Sequence, residues 1–245
     1  SFKLNIYYSF IYSLLFSVLA YPVSGTPFVD HHSAFFSLLG TYSLILAIKN
    51  EKKLYWILLP IFFVLAFLSK QVPAFYVIAS AVFVLIIFTL IKKKYYWIKY
   101  FFSSLILFIF LILIFGKIQG INLDSFLEQY LFYPQSLAAE RYDSFAFTFR
   151  GVVDHFKYIY LAAIPLLFVN LKKIFYKKNY LKNNEFYYFL TIILFTFSLI
   201  WHQLLTRNQT FIFFLIPILF AFSHIYLSSF KPNLNNFIPL ALILI

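Results

Sequence analysis

The chain has 245 residues and a formal net charge of +12, with 63% hydrophobic and 11% charged residues. A soluble domain of this length has about a quarter of its residues charged, so the composition excludes a soluble domain. No cysteine is present, which excludes disulfides and thiolate metal sites. The positive charge lies in short lysine clusters between apolar runs, which is typical of cytoplasmic loops, and we expect no nucleic-acid partner.

Apolar runs of 16 to 20 residues recur along the chain, the length that crosses about 30 Å of hydrocarbon as a helix. The sequence therefore predicts an all-α, polytopic transmembrane helical bundle with eight to nine spans, in a single domain over residues 1–245. The predicted spans are 4–20, 33–48, 54–68, 74–91, 98–115, 156–171, 186–201, 210–228 and one that begins at 237. The chain contains no methionine, begins within one apolar segment and ends within another, so we expect an internal piece of a longer protein.

The lysines predict the orientation of the bundle. With the amino end in the cytoplasm, the inner loops carry 14 of the 20 basic residues and the outer segments carry six, as the positive-inside rule requires. Six of the eight carboxylates then lie outside: Asp30, Asp124, Glu128, Glu140, Asp143 and Asp154. We therefore expect an integral protein of the bacterial inner membrane whose working surface faces the periplasm.

The longest polar stretch, residues 116–154, is predicted to be a partly helical outer loop. Its apolar residues recur at helical spacing as far as Pro134, which indicates an amphipathic helix on the membrane surface. These residues are Ile121, Leu123, Phe126, Leu127, Tyr130 and Leu131. A structured loop of this length is more often functional than not, although surface ion pairs alone also explain its charges.

Two outer segments carry candidate functional groups. Asp30, His31 and His32 precede a span, where Asp30 acts either as a helix cap or as a carboxylate in group transfer. Neighbouring side chains on a helix diverge, so we expect no metal ion among these three residues. Lys70 and Gln71 lie in the next outer turn, where the lysine either snorkels to the interface or offers a charge to a phosphate.

All three arginines of the chain lie in predicted outer segments: Arg141, Arg150 and Arg207. A guanidinium grips phosphate or carboxylate at two points, so this placement favours an anionic substrate such as a lipid phosphate. The last outer turn, residues 201–210, is densely polar, and it is either a wet turn or a binding site that faces the bundle interior. Its candidate binding residues are His202, Arg207, Asn208 and Gln209.

Residues 21–91 resemble one family. An outer loop ends in Asp30, a span begins Ser-Ala-Phe-Phe-Ser-Leu-Leu-Gly-Thr-Tyr from Ser33, and a later span ends Ala-Phe-Leu-Ser-Lys70 before Pro73. This pattern is similar to membrane glycosyltransferases of the GT-C type that use polyprenyl-phosphate sugars, such as protein mannosyltransferases and lipid A aminoarabinose transferases. The glycine that the family carries ahead of the lysine is absent here. The segment 201–219 is similar to a late span of that family.

The resemblance implies a function and a set of roles. Asp30 is then a second, substrate-orienting carboxylate and the one catalytic residue predicted within the chain, because the main catalytic aspartate of the family would precede residue 1. Lys70 and Arg207 would lie near the lipid phosphate. We expect an enzyme without a cofactor that transfers a sugar from a polyprenyl-phosphate donor to a glycan, lipid or protein acceptor outside the cytoplasm. Two alternatives stay open: an O-antigen polymerase or ligase, and a non-enzymatic transporter or flippase.

Overall fold

The computed structural model describes residues 4–21, 28–136, 148–205 and 211–230, and within these ranges the chain is helical with no strand. The helices are α1 Ile6–Leu19, α2 Val29–Asn50, α3 Lys53–Ser69, α4 Gln71–Lys92, α5 Tyr96–Ile118, α6 Leu123–Leu127, α7 Lys157–Tyr176, α8 Asn184–Leu205 and α9 Leu215–Phe230. The prediction of an all-α protein is confirmed for the part of the chain that the structure describes.

Among the described residues, six helices are long and apolar enough to cross a membrane: Val29–Asn50, Gln71–Lys92, Tyr96–Ile118, Lys157–Tyr176, Asn184–Leu205 and Ile212–Ser229. The apolar helices α1 and α3, with 14 and 17 residues, are shorter. At 1.5 Å per residue they reach about 21 Å and about 26 Å, less than the hydrocarbon thickness of about 30 Å. The six spans fall below the predicted eight to nine, and the segment from 237 lies outside the described residues.

The starts of three helices differ from the sequence prediction by three residues or more. α2 begins at Val29 rather than at 33, α4 at Gln71 rather than at 74, and α9 at Leu215 rather than at 210. The first turn of α2 is capped because the backbone N–H of Phe28 donates a hydrogen bond to Nδ1 of His31 at 3.2 Å. Asp30 therefore lies inside the first turn of α2, where a carboxylate is favoured by the free N–H groups and the helix dipole.

α2 is the central helix, and it packs against α3, α4 and α8. Its buried face carries small side chains, which let neighbouring helices approach closely: Ala34, Ser37, Gly40, Thr41 and Ala47. The closest approach is at Gly40, because a β-carbon added there would lie only 2.6 Å from Cδ1 of the Phe63 ring on α3. Glycine at this position is therefore required by the packing of α2 on α3.

The remaining helices pack around this centre. α5 packs mainly on α3 and exposes most of its length, which suits a helix that faces lipid. α9 packs against α7 and α1. α1 is joined to α9 by a buried contact between the Tyr12 hydroxyl and Nδ1 of His224, at 3.3 Å. His224, an ionisable residue within a span, thus serves the docking of α1.

The helices alternate in direction and give the bundle two distinct ends. At one end, which we call the lysine-rich end, lie Lys49, Lys53, Lys92 and Lys172. Lys173 is buried there, and its Nζ donates to Oε2 of Glu185 at 2.9 Å and to Oγ of Ser229 at 3.3 Å. At the other end, which we call the Asp30 end, the start of α2, the α3–α4 junction and the end of α8 come together.

Candidate functional site

Three ionisable side chains meet at the Asp30 end of the bundle. The ammonium of Lys70 lies 2.6 Å from both carboxylate oxygens of Asp30. Nε2 of His202 lies 3.1 Å from Oδ1 of the same carboxylate. A carboxylate oxygen only accepts hydrogen bonds, so Nε2 of His202 carries the hydrogen. We call Asp30, Lys70 and His202 the ion cluster.

The three side chains come from distant parts of the chain. Asp30 lies in the first turn of α2, Lys70 links α3 to α4, and His202 lies near the end of α8. The partners of Asp30 are separated from it by 40 and 172 residues. The ion cluster therefore forms only when α2, α4 and α8 are packed with the correct rotation about their axes.

Burial differs across the cluster. The side chain of His202 is fully buried, that of Asp30 is 10% exposed, and that of Lys70 is 26% exposed. An ammonium group has three donors, and the carboxylate of Asp30 occupies two of them. Within the described part of the chain, Lys70 is therefore the member that retains both a donor and access to a ligand.

Lys70 joins α3 to α4 in an extended conformation, with φ −161° and ψ 131°. Val72, in the first turn of α4, is also extended, with φ −113° and ψ 123°. The N–H of Lys70 donates to the carbonyl of Ala66 at 3.1 Å, which ends α3. Its carbonyl accepts a hydrogen bond from Oγ of Ser33 on α2, also at 3.1 Å. Ser33 thus ties the α3–α4 junction to α2 one turn from Asp30.

The segment that follows α5 contacts this junction. Residues 119–136, which we call the surface segment, begin with a turn at Gly120, whose φ of +71° favours glycine. α6 follows, and its first turn is capped by the side chain of Asn122. The backbone carbonyl of Tyr130 accepts a hydrogen bond from the amide of Gln71, and the Tyr130 hydroxyl donates to the carbonyl of Phe67.

The other predicted site residues are distributed as follows. His31 is buried and caps α2, whereas His32 is exposed on the same turn. The side-chain amide of Gln71 donates a hydrogen bond to the backbone carbonyl of Tyr130. Arg150 is exposed at the start of the turn Arg150–Asp154. The remaining predicted residues lie outside the described part of the chain: Arg141, Arg207, Asn208 and Gln209.

An apolar groove with a volume of about 820 Å³ lies between α1, α2 and α9. Its lining includes Phe16, Phe35, Leu38, Leu39 and Ile218. The ring of Phe35 lies 6.3 Å from that of His31, which is the neighbour of Asp30 in the chain. One lining side chain of the groove thus lies beside the first turn of α2, and the groove volume falls within the range of ligand pockets, about 300–1,000 Å³.

Two residues near the ion cluster were not among the predicted site residues: Ser33 and Tyr130. Both hydrogen-bond to the α3–α4 junction. Tyr130 carries a sequence signal, because it belongs to the apolar face of the predicted surface helix. Ser33 carries none, since a serine in the first turns of a membrane helix is common.

Comparison with protein-family models, with curated protein sequences and with solved structures found no match to this chain.

Proposed function

We propose that this chain takes part in the transfer of a sugar from a polyprenyl-phosphate donor to an acceptor at the non-cytoplasmic face of a bacterial inner membrane. The observation that carries the proposal is the ion cluster, in which a partly exposed lysine is held by a carboxylate at the end of a bundle of apolar helices. The sequence resemblance had implied roles for the same two residues, Asp30 and Lys70.

The geometry supports a specific role for each group. The acceptor oxygen bonds to the anomeric carbon of the sugar as the bond from that carbon to the phosphate oxygen breaks, and a base takes the acceptor proton. Polyprenyl phosphate departs, and the ammonium of Lys70 stabilises the charge that develops on it. Asp30 already accepts hydrogen bonds from two partners, so we assign it the orientation of Lys70 rather than proton abstraction.

The apolar groove supports a lipid-linked donor. It lies along helices that are apolar enough to lie in hydrocarbon, and one of its lining residues contacts the turn that carries Asp30. A prenyl chain in this groove would place its phosphate toward the Asp30 end of the bundle. The acceptor, whether glycan, lipid or protein, would approach from the aqueous side.

The test is binding of a short-chain polyprenyl phosphate to the protein in lipid nanodiscs, followed by a sugar-transfer assay. Lys70→Met should weaken binding about tenfold or more, because a hydrogen bond to a charged group contributes about 1.5–3 kcal/mol. Lys117→Met is the matched control, since Lys117 is an exposed lysine in the last turn of α5. It should leave binding within about twofold, because an exposed charge contributes little.

Asp30→Asn should change donor binding in the direction opposite to Lys70→Met. The ion pair neutralises Lys70, so replacing the carboxylate with an amide frees the ammonium for the phosphate. We expect tighter donor binding together with loss of sugar transfer. Wild-type protein that binds no polyprenyl phosphate, or binding that is indifferent to Lys70→Met, overturns the proposal. Preference for a lipid pyrophosphate favours the polymerase or ligase alternative, and lipid movement without transfer favours a flippase.

A further inference from the structure

Tyr130 of the surface segment contacts the α3–α4 junction with both its side chain and its backbone carbonyl. Its ring stacks on Phe126 within the segment, with centroids 5.0 Å apart, and meets the ring of Phe67 edge-on at 6.2 Å. Its hydroxyl donates to the carbonyl of Phe67, and its own carbonyl accepts from the amide of Gln71. The residues that Tyr130 contacts on the junction therefore flank Lys70 on both sides.

The hydrogen bond from the Tyr130 hydroxyl to the carbonyl of Phe67 replaces a backbone hydrogen bond that α3 cannot make at its end. The last four carbonyls of a helix have no partner within the helix. α3 ends at Ser69 and Lys70 is extended, so the carbonyl of Phe67 loses its usual i+4 donor. The Tyr130 hydroxyl takes that place. Burial raises the pKa of Tyr130 to about 12, so the phenol keeps its hydrogen at neutral pH.

Hydrogen bonds hold the chain on both sides of Lys70. Before it, the Tyr130 hydroxyl donates to the carbonyl of Phe67 in the last turn of α3, and after it, the side-chain amide of Gln71 donates to the Tyr130 carbonyl. The carbonyl of Lys70 itself accepts from Ser33 of α2. Because Lys70 joins α3 to α4, the direction of its side chain depends on how these neighbouring groups are held.

We propose that Tyr130 is a positioning residue that holds the Lys70 ammonium in place for an anionic ligand and makes the surface segment part of the same site. This inference rests on the proposed function, because the ligand that Lys70 meets is taken to be the donor phosphate. Tyr130 itself acts through the backbone of α3 and does not touch the ligand.

The experiment is a double-mutant cycle on the protein in nanodiscs, with short-chain polyprenyl phosphate as the ligand. Tyr130→Phe removes the hydroxyl and keeps the ring, and we expect it to weaken binding about three- to tenfold, the range of one hydrogen bond. In the Lys70→Met background the same change should have less than about a twofold effect, because the group that it positions is gone. Tyr133→Phe is the matched control, since Tyr133 is 63% exposed in the same segment.

A purely structural role for Tyr130 gives a different pattern. Equal weakening in the wild-type and Lys70→Met backgrounds would show that the hydroxyl acts by general stability, and it would overturn the inference. So would unchanged affinity of Tyr130→Phe alongside tight wild-type binding, which leaves the proposed function intact.

Amide hydrogen exchange over residues 66–72 provides a readout that needs no ligand. Tyr130→Phe should speed exchange there about three- to tenfold relative to Tyr133→Phe, because the last turn of α3 loses its donor. Unchanged exchange overturns the positioning role. Wild-type protein that binds no donor overturns the proposed function. In that case the hydrogen-exchange rates of residues 66–72 remain the test of the positioning role.

Discussion

The Asp30–Lys70 pair predicts an unequal response to removing its two partners. Lys70→Met leaves a carboxylate that is only 10% exposed with His202 as its remaining partner. Asp30→Asn leaves an ammonium that is 26% exposed on a flexible stem and can reach water. Asparagine also keeps an oxygen that can accept from Nε2 of His202. Lys70→Met should therefore destabilise the protein more than Asp30→Asn.

The size of each loss in the free energy of unfolding follows from how deeply the two side chains are buried. Removing one partner of a fully buried ion pair costs about 3–5 kcal/mol, because it leaves an uncompensated charge. Lys70 is about a quarter exposed, so part of that cost is screened by water, and we expect a loss of about 2–3 kcal/mol for Lys70→Met. Asp30→Asn should cost about 1 kcal/mol, the size of a net hydrogen bond. The double variant should resemble Asp30→Asn, since the Lys70 ammonium that Asp30→Asn leaves can reach water and neither variant leaves an unpaired buried charge.

The assay is the free energy of unfolding, measured by titration with sodium dodecyl sulfate in mixed micelles for wild type, both single variants and the double variant. Lys117→Met serves as the exposed-lysine control and should change the free energy by less than about 0.5 kcal/mol. Two results would refute the reasoning. One is additive losses in the double variant, which would mean that the two charges do not interact. The other is a larger loss for Asp30→Asn than for Lys70→Met.

Two further changes test the packing of the bundle in the same titration. Gly40→Ala should lower the free energy of unfolding by about 1–3 kcal/mol, because the added β-carbon overlaps the buried Phe63 ring. Gly116→Ala is its control and should be neutral or slightly stabilising, since nothing lies within 4 Å of its added β-carbon. Lys173→Met should cost about 1–2 kcal/mol by leaving Glu185 unpaired, and it should leave donor binding unchanged. Weaker donor binding by Lys173→Met would instead show that affinity follows stability.

The helices were largely predictable from the sequence, because apolar runs bounded by lysine or proline mark where a chain enters and leaves hydrocarbon. The start of α2 was not. Asp30 and His31 are polar, so hydropathy places them in a loop, but both are buried in the first turn. The cost of burying Asp30 is offset by a lysine 40 residues away and a histidine 172 residues away. The cost of burying His31 is offset by a hydrogen bond from the backbone of Phe28. Local composition does not carry such long-range compensation.

The candidate site was also only partly predictable from the sequence. Asp30 and Lys70 were both predicted as functional, but their direct contact was not, and His202 was assigned to a separate turn. Which side chains meet depends on how α2, α4 and α8 rotate about their axes, and the polar residues alone do not determine that rotation. The contact made by Tyr130 was not predicted either. The apolar face of the helix to which it belongs predicts a position on the membrane surface, whereas its hydroxyl donates to the carbonyl of Phe67 at the end of α3.

A comparison of Lys70 with Lys173 shows why one lysine is a candidate for ligand binding and the other is structural. Lys173 is 6% exposed, its Nζ donates to Glu185 and Ser229, and it lies 5.2 and 5.7 Å from two tyrosine ring centroids. Its charge is thus enclosed by partners on several sides. Lys70 is 26% exposed, and the hydrogen bonds of its ammonium go to one carboxylate, that of Asp30. A phosphate can therefore approach Lys70 without dismantling the core, whereas the same approach to Lys173 would require α7, α8 and α9 to separate.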